Sequence, residues 1–190
     1  MNNNYPIFHT GKGHLMFFHG WEPKKTQNGK ELFSTTFIFP KEDTASYERY
    51  KQALREAYDI AKQTQDSSDW PAFDKIVGPV RDCRSPRYPN HWELFACTSF
   101  MPMIADRQGN PIKDRSLVRD GSVVQLVMQL YPQKTHQGFG FRLDCVRKLE
   151  DESPRKLTAE QLAEADRYLE NVRHTSCYTS FLQRIQAKAR

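Results

Sequence analysis

The chain has 190 residues and carries 28 Lys and Arg against 23 Asp and Glu, a formal net charge of +5. Its length suits a single domain with its own core, and no stretch approaches the ~18 consecutive apolar residues that a membrane span requires. Hydrophobic residues are 38% of the chain, aromatics are 12%, and the opening Met1-Asn2-Asn3-Asn4-Tyr5 lacks the pattern of a secretory signal. The expectation is a soluble, cytoplasmic, mildly basic domain.

Residues 13–21, Gly-His-Leu-Met-Phe-Phe-His-Gly-Trp, are dense in aromatics and too short for a globular helix, so they read as a strand. A polar stretch from Glu22 to Lys30 follows, and its Asn28-Gly29 pair is a strong turn signal. Leu32 to Phe39 is β-branched and aromatic and is stopped by Pro40, which makes it the second strand of a long hairpin. Thr44 is the predicted N-cap of a helix, whose Tyr47, Tyr50, Leu54, Tyr58 and Ala61 recur at spacings of three and four. That helix is expected to end in the polar run Thr64–Asp69. Residues 70–90 hold Pro71, Pro79, Pro86 and Pro89 and read as a long irregular loop, a feature that is usually functional or mobile.

His91 to Phe100 reads as a third strand, and Asp106 to Pro111 as a turn. Ser122 to Tyr131 forms a fourth strand and Phe139 to Lys148 a fifth. In the fifth, alternation puts Phe139, Phe141, Leu143 and Cys145 on one face and Gly140, Arg142 and Asp144 on the other. Thr158-Ala159-Glu160-Gln161 is a capping box that opens a C-terminal helix with Leu162, Ala165, Leu169 and Val172 on one side. The predicted order is two strands, a helix, a long loop, three strands and a helix. Five strands in a chain of this size suit a small closed barrel without exposed edges, and the five-stranded OB-fold is the preferred one. The expected fold is thus mainly β: an OB-fold barrel over 1–152 with an internal helix and a long basic loop, and a C-terminal helical extension over 153–190 packed on the same domain.

Mapped along the chain, the charge is uneven. Residues 1–43 hold 5 basic and 4 acidic side chains, 44–69 hold 4 and 5, 70–148 hold 12 and 7, and 149–190 hold 7 and 7. The excess lies in the middle, among aromatics. That combination suits single-stranded nucleic acid, since cations follow phosphates while rings stack on unpaired bases. In an OB-fold the nucleic acid crosses strands 2 and 3 between the loops joining strands 1–2 and 4–5. Here the first loop carries Lys24, Lys25 and Lys30, and the second carries Lys134 and His136. Candidate phosphate ligands are Lys24, Lys25, Lys30, Arg81, Arg84, Arg87, Lys134 and Arg142. Candidates for base stacking, chosen beside cations or at strand ends, are Trp21, Tyr88, Trp92, Tyr131 and Phe139. Phe17, Phe37, Phe39, Leu126 and Met128 are assigned to the core.

Trp21-Glu22-Pro23-Lys24, Asn28-Gly29 and Ile38-Phe39-Pro40-Lys41-Glu42-Asp43-Thr44 resemble the opening of a phage-encoded family. Pro79-Val80-Arg81-Asp82, Asp106-Arg107-Gln108-Gly109-Asn110-Pro111-Ile112 and Val146-Arg147-Lys148-Leu149 resemble its later segments. The resemblance covers about residues 10–152. That family, long filed as a domain of unknown function, is similar to the OB-fold single-stranded DNA-binding proteins of phage replication. It implies sequence-independent binding of single strands in replication, recombination or repair, in the cytoplasm of an infected bacterium, with no catalytic step and no cofactor. It also implies phage or host replication enzymes as partners, and a monomer or weak homo-oligomer. Many such proteins end in an acidic tail that recruits those enzymes. This sequence departs from that pattern, ending Arg184-Ile185-Gln186-Ala187-Lys188-Ala189-Arg190.

Two other classes stay open, a metal-dependent nucleic-acid enzyme and a protein-interaction module. Cys83, Cys97, Cys145 and Cys177 have no paired C-x-x-C spacing and read as free thiols, with Cys83 and His91 the nearest approach to a zinc site. His9, His14 and His19 recur every five residues, so neither helix nor strand lines them along one face. A nuclease needs convergent carboxylates, and Asp106, Asp114 and Asp120 are spaced through a turn-rich segment that a solvated loop explains better.

Overall fold

The structure, a computed structural model, describes residues 5–64, 70–133 and 138–150. Among them lie one long helix, α1 (Thr44–Thr64), and eight strands. Five of these strands match the predicted ones: β2 (Gly13–Lys25), β3 (Glu31–Pro40), β5 (His91–Thr98), β7 (Val123–Gln133) and β8 (Gly138–Glu150). The other three, β1 (Ile7–His9), β4 (Val80–Asp82) and β6 (Met103–Ala105), are three residues long, too short to carry an alternating pattern. The loop over 70–90 is accordingly not wholly irregular, since it contains a 3-10 turn at Phe73–Lys75 and then β4, which pairs with β5.

The pairings return to their starting point. β2 runs antiparallel to β3, β3 antiparallel to β5, and β5 parallel to β8 through Ala96↔Phe141 and Cys97↔Arg142. β8 then runs antiparallel to β7 along its whole length, and β7 meets β2 again at Gly13↔Val124 and His14↔Val123. β1 adds to the other end of β7, and β6 to β8.

Inward-facing residues from these strands build one apolar core, with Leu15, Phe37, Phe39, Leu94, Leu126, Met128, Leu130, Phe141 and Leu143 at most 1% exposed. In β8 the predicted alternation holds as far as Leu143. A bulge then shifts the register, because Met128 pairs with Leu143 but Val127 with Cys145. Val146 takes the inward position and Cys145 is only half-buried.

Helix α1 closes the core with four residues of the predicted stripe, Tyr50, Leu54, Tyr58 and Ala61, joined by Ala53 and Ala57, while Tyr47 is only partly buried against it. Its cap differs from the expected one by a residue. Asp43 Oδ1 accepts the Ser46 amide at 3.1 Å, so Asp43 caps and Thr44 is already helical. Tyr50 is locked in an aromatic cluster, its ring 6.1 Å from both Phe8 and Phe141. Burial holds its phenol protonated far above the usual range. No helix among the described residues is long and apolar enough to cross a membrane.

Arg84–Pro89 do not belong to the compact unit that holds the sheet. Within this segment the Tyr88 amide donates to the Ser85 carbonyl at 3.0 Å, closing a turn. The predicted C-terminal helix and the 153–190 extension lie outside the described residues.

Candidate nucleic-acid interface

Strand alternation sorts β3 into two faces, although Ile38 of the second is itself buried. Phe33, Thr35, Phe37 and Phe39 point one way, and Leu32, Ser34, Thr36 and Ile38 the other. The cross-strand register carries the second set onto β5, where Thr36 pairs with Phe95 and Ser34 with Cys97. On the other side it meets β2, where Met16 pairs with Thr36 and His19 with Ser34. An open groove of about 550 Å³ runs over this outer face. Phe17, His19, Lys24 and Lys25 of β2 line one wall, Leu32, Ser34 and Thr36 of β3 form the floor, and Phe95 of β5 stands opposite. Thr26 and Gln27 close it at the hairpin tip. Two exposed phenylalanines, two lysines and a floor with hydroxyls can offer ring faces to bases and positive charge to phosphates.

The hairpin that carries the lysines is longer than expected. β2 continues through Lys24 and Lys25, which pair with Leu32 and Glu31, so both lysines sit on the strand and not in a loop. The turn is Thr26–Lys30. Its Thr26 amide donates to the Lys30 carbonyl at 2.7 Å, and Gly29 takes the positive φ of 77° that an Asn-Gly pair favours. Lys30 is exposed on this turn and does not line the groove.

Phe17 corrects the sequence reading most sharply. Its apolar neighbours assign it to the core, yet it is 64% exposed. The cause is a β-bulge. Met16 pairs with Thr36 and His19 with Ser34, so three steps along β2 match two along β3. Phe17 takes up the extra residue at a φ of 50°, in the left-handed region that bulky side chains rarely adopt. A conformation of this kind costs about 1–3 kcal/mol and persists only where its surroundings hold it. Phe95 also escapes the sequence reading, because it looks like an ordinary member of an apolar strand. Its position directly across from Thr36 follows only from the pairing of β3 with β5.

The predicted stacking residues divide. Phe139 is 3% exposed and packs against Trp70 with ring centroids 5.4 Å apart, so it belongs to the core and presents no face to a base. Trp92 lies parallel to Tyr47 at 4.6 Å, with the Lys41 ammonium 4.5 Å from the indole centroid, so its ring is already engaged within the protein. Trp21 packs against the core and donates from Nε1 to the Val118 carbonyl at 2.8 Å, a structural role. Tyr131 lies on the outer face across from Gly140, where a Cβ would come within 2.8 Å of its ring. The Tyr131 hydroxyl and the Cys97 thiol are hydrogen-bonded, and burial first of all pushes both groups above their usual values, so both are neutral at pH 7. Tyr88 lies in the 84–89 turn, half-buried.

The predicted cations are scattered. Lys24 and Lys25 share the groove. Arg81, on β4, pairs through Nε with Glu93 Oε1 at 2.6 Å, beside Phe95 on the same face of β5. Arg142, next to Cys97 across the β5–β8 pairing, is held by Asp144 at 2.7 Å. Arg84 and Arg87 are exposed within the 84–89 segment, and Lys134, with His136, lies outside the described residues.

The three aspartates weighed for metal do not converge; each accepts from a different backbone amide. Asp106 accepts from the Asn110 amide at 2.8 Å, Asp114 from the Ser116 amide at 2.9 Å, and Asp120 from the Phe18 amide at 2.7 Å. The first two carboxyls are held below their usual values, chiefly by side-chain hydrogen bonds from Asn110 and Ser116. No group of three His, Cys, Asp or Glu residues among the described residues could hold a metal ion.

Comparison with known proteins completes the description. Solved structures with the same fold include the single-stranded DNA-binding protein of bacteriophage Enc34 in complex with single-stranded DNA. The match has a TM-score of 0.65 at 17% identity and covers 78% of this chain and 89% of that one. A further structure of the Enc34 single-stranded DNA-binding protein matches at a TM-score of 0.61 and 15% identity, over 83% and 89% of the two chains. Another is gp2.5, a single-stranded DNA-binding protein of bacteriophage T7, at a TM-score of 0.56 and 15% identity over 80% and 97%. No curated protein sequence matches. The model of the family described as the ssDNA-binding protein of Enterobacter phage Enc34 matches residues 8–174. The chain belongs to that family of phage single-stranded DNA-binding proteins.

Proposed function

We propose that this protein binds single-stranded DNA without sequence preference, coating and protecting single strands during phage DNA replication, recombination and repair. The setting is the cytoplasm of an infected bacterial host. The observation that carries this reading is the groove on β2, β3 and β5, which puts exposed ring faces and ammonium groups around one floor of Leu32, Ser34 and Thr36. Such a surface suits a flexible chain whose phosphates and bases alternate, and it offers no base-edge readout of a duplex.

In this reading the ring of pairings β2-β3-β5-β8-β7 is the five-stranded OB barrel, and β1, β4 and β6 are additions to it. The groove then lies where OB-folds take oligonucleotides, on their second and third strands beside the first hairpin loop. Residues 1–152 form the binding domain in this reading. Lys24 and Lys25 neutralise phosphates in the groove; Lys30, Arg81, Arg84, Arg87, Arg142 and Lys134 stay further candidates for phosphate contact. Phe17 and Phe95 take over the stacking role from Trp21, Trp92 and Phe139, with Tyr131 and Tyr88 as further ring faces. Binding is stoichiometric and involves no catalytic step. Replication enzymes are the partners that such a role requires.

The test is a fluorescence titration with a poly-dT oligonucleotide and a matching duplex across a salt series. Tighter binding to the single strand, weakening linearly in log-log salt, is expected. Absence of binding at low salt overturns the proposal, and cleavage of the oligonucleotide with magnesium or manganese redirects it to an enzyme.

A further inference from the structure

We propose that Asp120 is the positioning residue of the groove: through the Phe18 amide, its carboxylate fixes the β2 bulge that turns the Phe17 ring outward as a stacking surface for an unpaired base. The inference rests on the single-stranded DNA reading for its ligand and on the bulge for its geometry.

A bulge removes backbone groups from the ladder, and each stranded amide needs a new acceptor. Here the Phe18 amide finds Asp120 Oδ1 at 2.7 Å, a short bond to a charged acceptor from a residue 102 positions away in sequence. The surrounding segment grips β2 on both sides of the bulge. Before it, the Leu15 amide donates to the Ser122 carbonyl at 3.1 Å and the Leu15 carbonyl accepts from the Gly121 amide at 2.8 Å. The Met16 carbonyl accepts from Thr35 Oγ1 at 3.2 Å. Beyond it, Trp21 Nε1 donates to the Val118 carbonyl at 2.8 Å. These bonds hold β2 in place, and among them only the one to Asp120 acts on the bulge itself. Without it, β2 stays anchored while the Phe18 amide loses its acceptor and Phe17 is released from its left-handed conformation. A slip of one residue moves a side chain to the opposite face of a strand, so the ring would leave the groove wall.

The experiment compares wild type, D120A, D120N, F17A and the F17A/D120A double variant in poly-dT titrations over a salt series. D120A is expected to lower affinity on the order of tenfold, as F17A does. Its salt slope should match wild type, because the lysines are untouched. D120N retains an amide oxygen as acceptor and should recover the affinity. D120A should add nothing in the F17A background, because both changes remove the same ring. Losses that multiply in the double variant, or a D120A variant that binds like wild type while F17A does not, overturn the proposal. A readout without DNA separates this inference from the function it serves. Amide hydrogen exchange at Phe18 should accelerate in D120A and stay slow in D120N, with Leu15 unchanged in both. Unaltered exchange in D120A overturns the positioning role even if DNA binding is confirmed, whereas the predicted exchange pattern with no DNA binding by wild type overturns the function alone.

Discussion

Phe17, Phe95 and Phe139 are the same side chain in three apolar strands, and their neighbours in sequence do not say which faces water. Phe139 lies under Trp70 at 3% exposure, whereas Phe17 and Phe95 are 64% and 51% exposed on the groove. The difference arises from pairing: a bulge turns Phe17 outward, and register places Phe95 opposite Thr36. Burial fixes what each loss should do. Phe139→Ala empties a filled core site and should destabilise the fold by about 3–5 kcal/mol. Phe95→Ala should leave the unfolding midpoint nearly unchanged and weaken single-strand binding by about 1–3 kcal/mol. Thermal unfolding and a poly-dT titration on both variants check this. A Phe95→Ala variant that melts early and binds normally would reverse the assignment.

Among the elements, those with a long repeating pattern are legible in the sequence. The buried stripe of α1 follows from spacing, and the hairpin turn from Asn28-Gly29, because each is decided by a few adjacent residues. β1, β4 and β6 are not legible, since three residues cannot display alternation and each exists only because a longer strand offers it an edge. The bulges at Phe17 and in β8 are equally hidden, because an extra residue is defined only against its partner strand. Half of the site can be read for the same reason. Lys24 and Lys25 stand out as charges beside a turn, but assigning them to a loop misses the extension of β2 that holds them over the groove. Placement on a paired strand limits how far these ammonium groups can move from the groove wall. Reversing both to Glu should weaken single-strand binding and flatten its log-log salt dependence by about 0.7 for each phosphate no longer neutralised. An unchanged slope in the same titration would remove the hairpin from the interface.

For the molecule as a whole, the decisive property is that the pairings of β2, β3, β5, β8 and β7 come back on themselves. Strands bonded on both sides should exchange their amide hydrogens last, and short additions at a single edge first. Hydrogen exchange is therefore expected to find the inward-facing residues of β3 and β7 most protected, and Val80–Asp82 and Met103–Ala105 among the fastest amides of any strand. Protection of β4 equal to that of β3 would show that the ring is not the cooperative unit. The ring is also unequal around its circumference. β7 and β8 are zipped from Val123↔Glu150 to Gln133↔Gly138, but β7 holds β2 through Gly13↔Val124 and His14↔Val123, and β5 holds β8 through Ala96↔Phe141 and Cys97↔Arg142. Under mechanical load one of these two-pair joints is the clasp expected to give first. When either opens, the β2–β3 and β3–β5 pairings that carry Phe17, Lys24, Lys25 and Phe95 stay joined. A tug transmitted along a bound strand could then be absorbed at the clasp before it parted the walls of the groove.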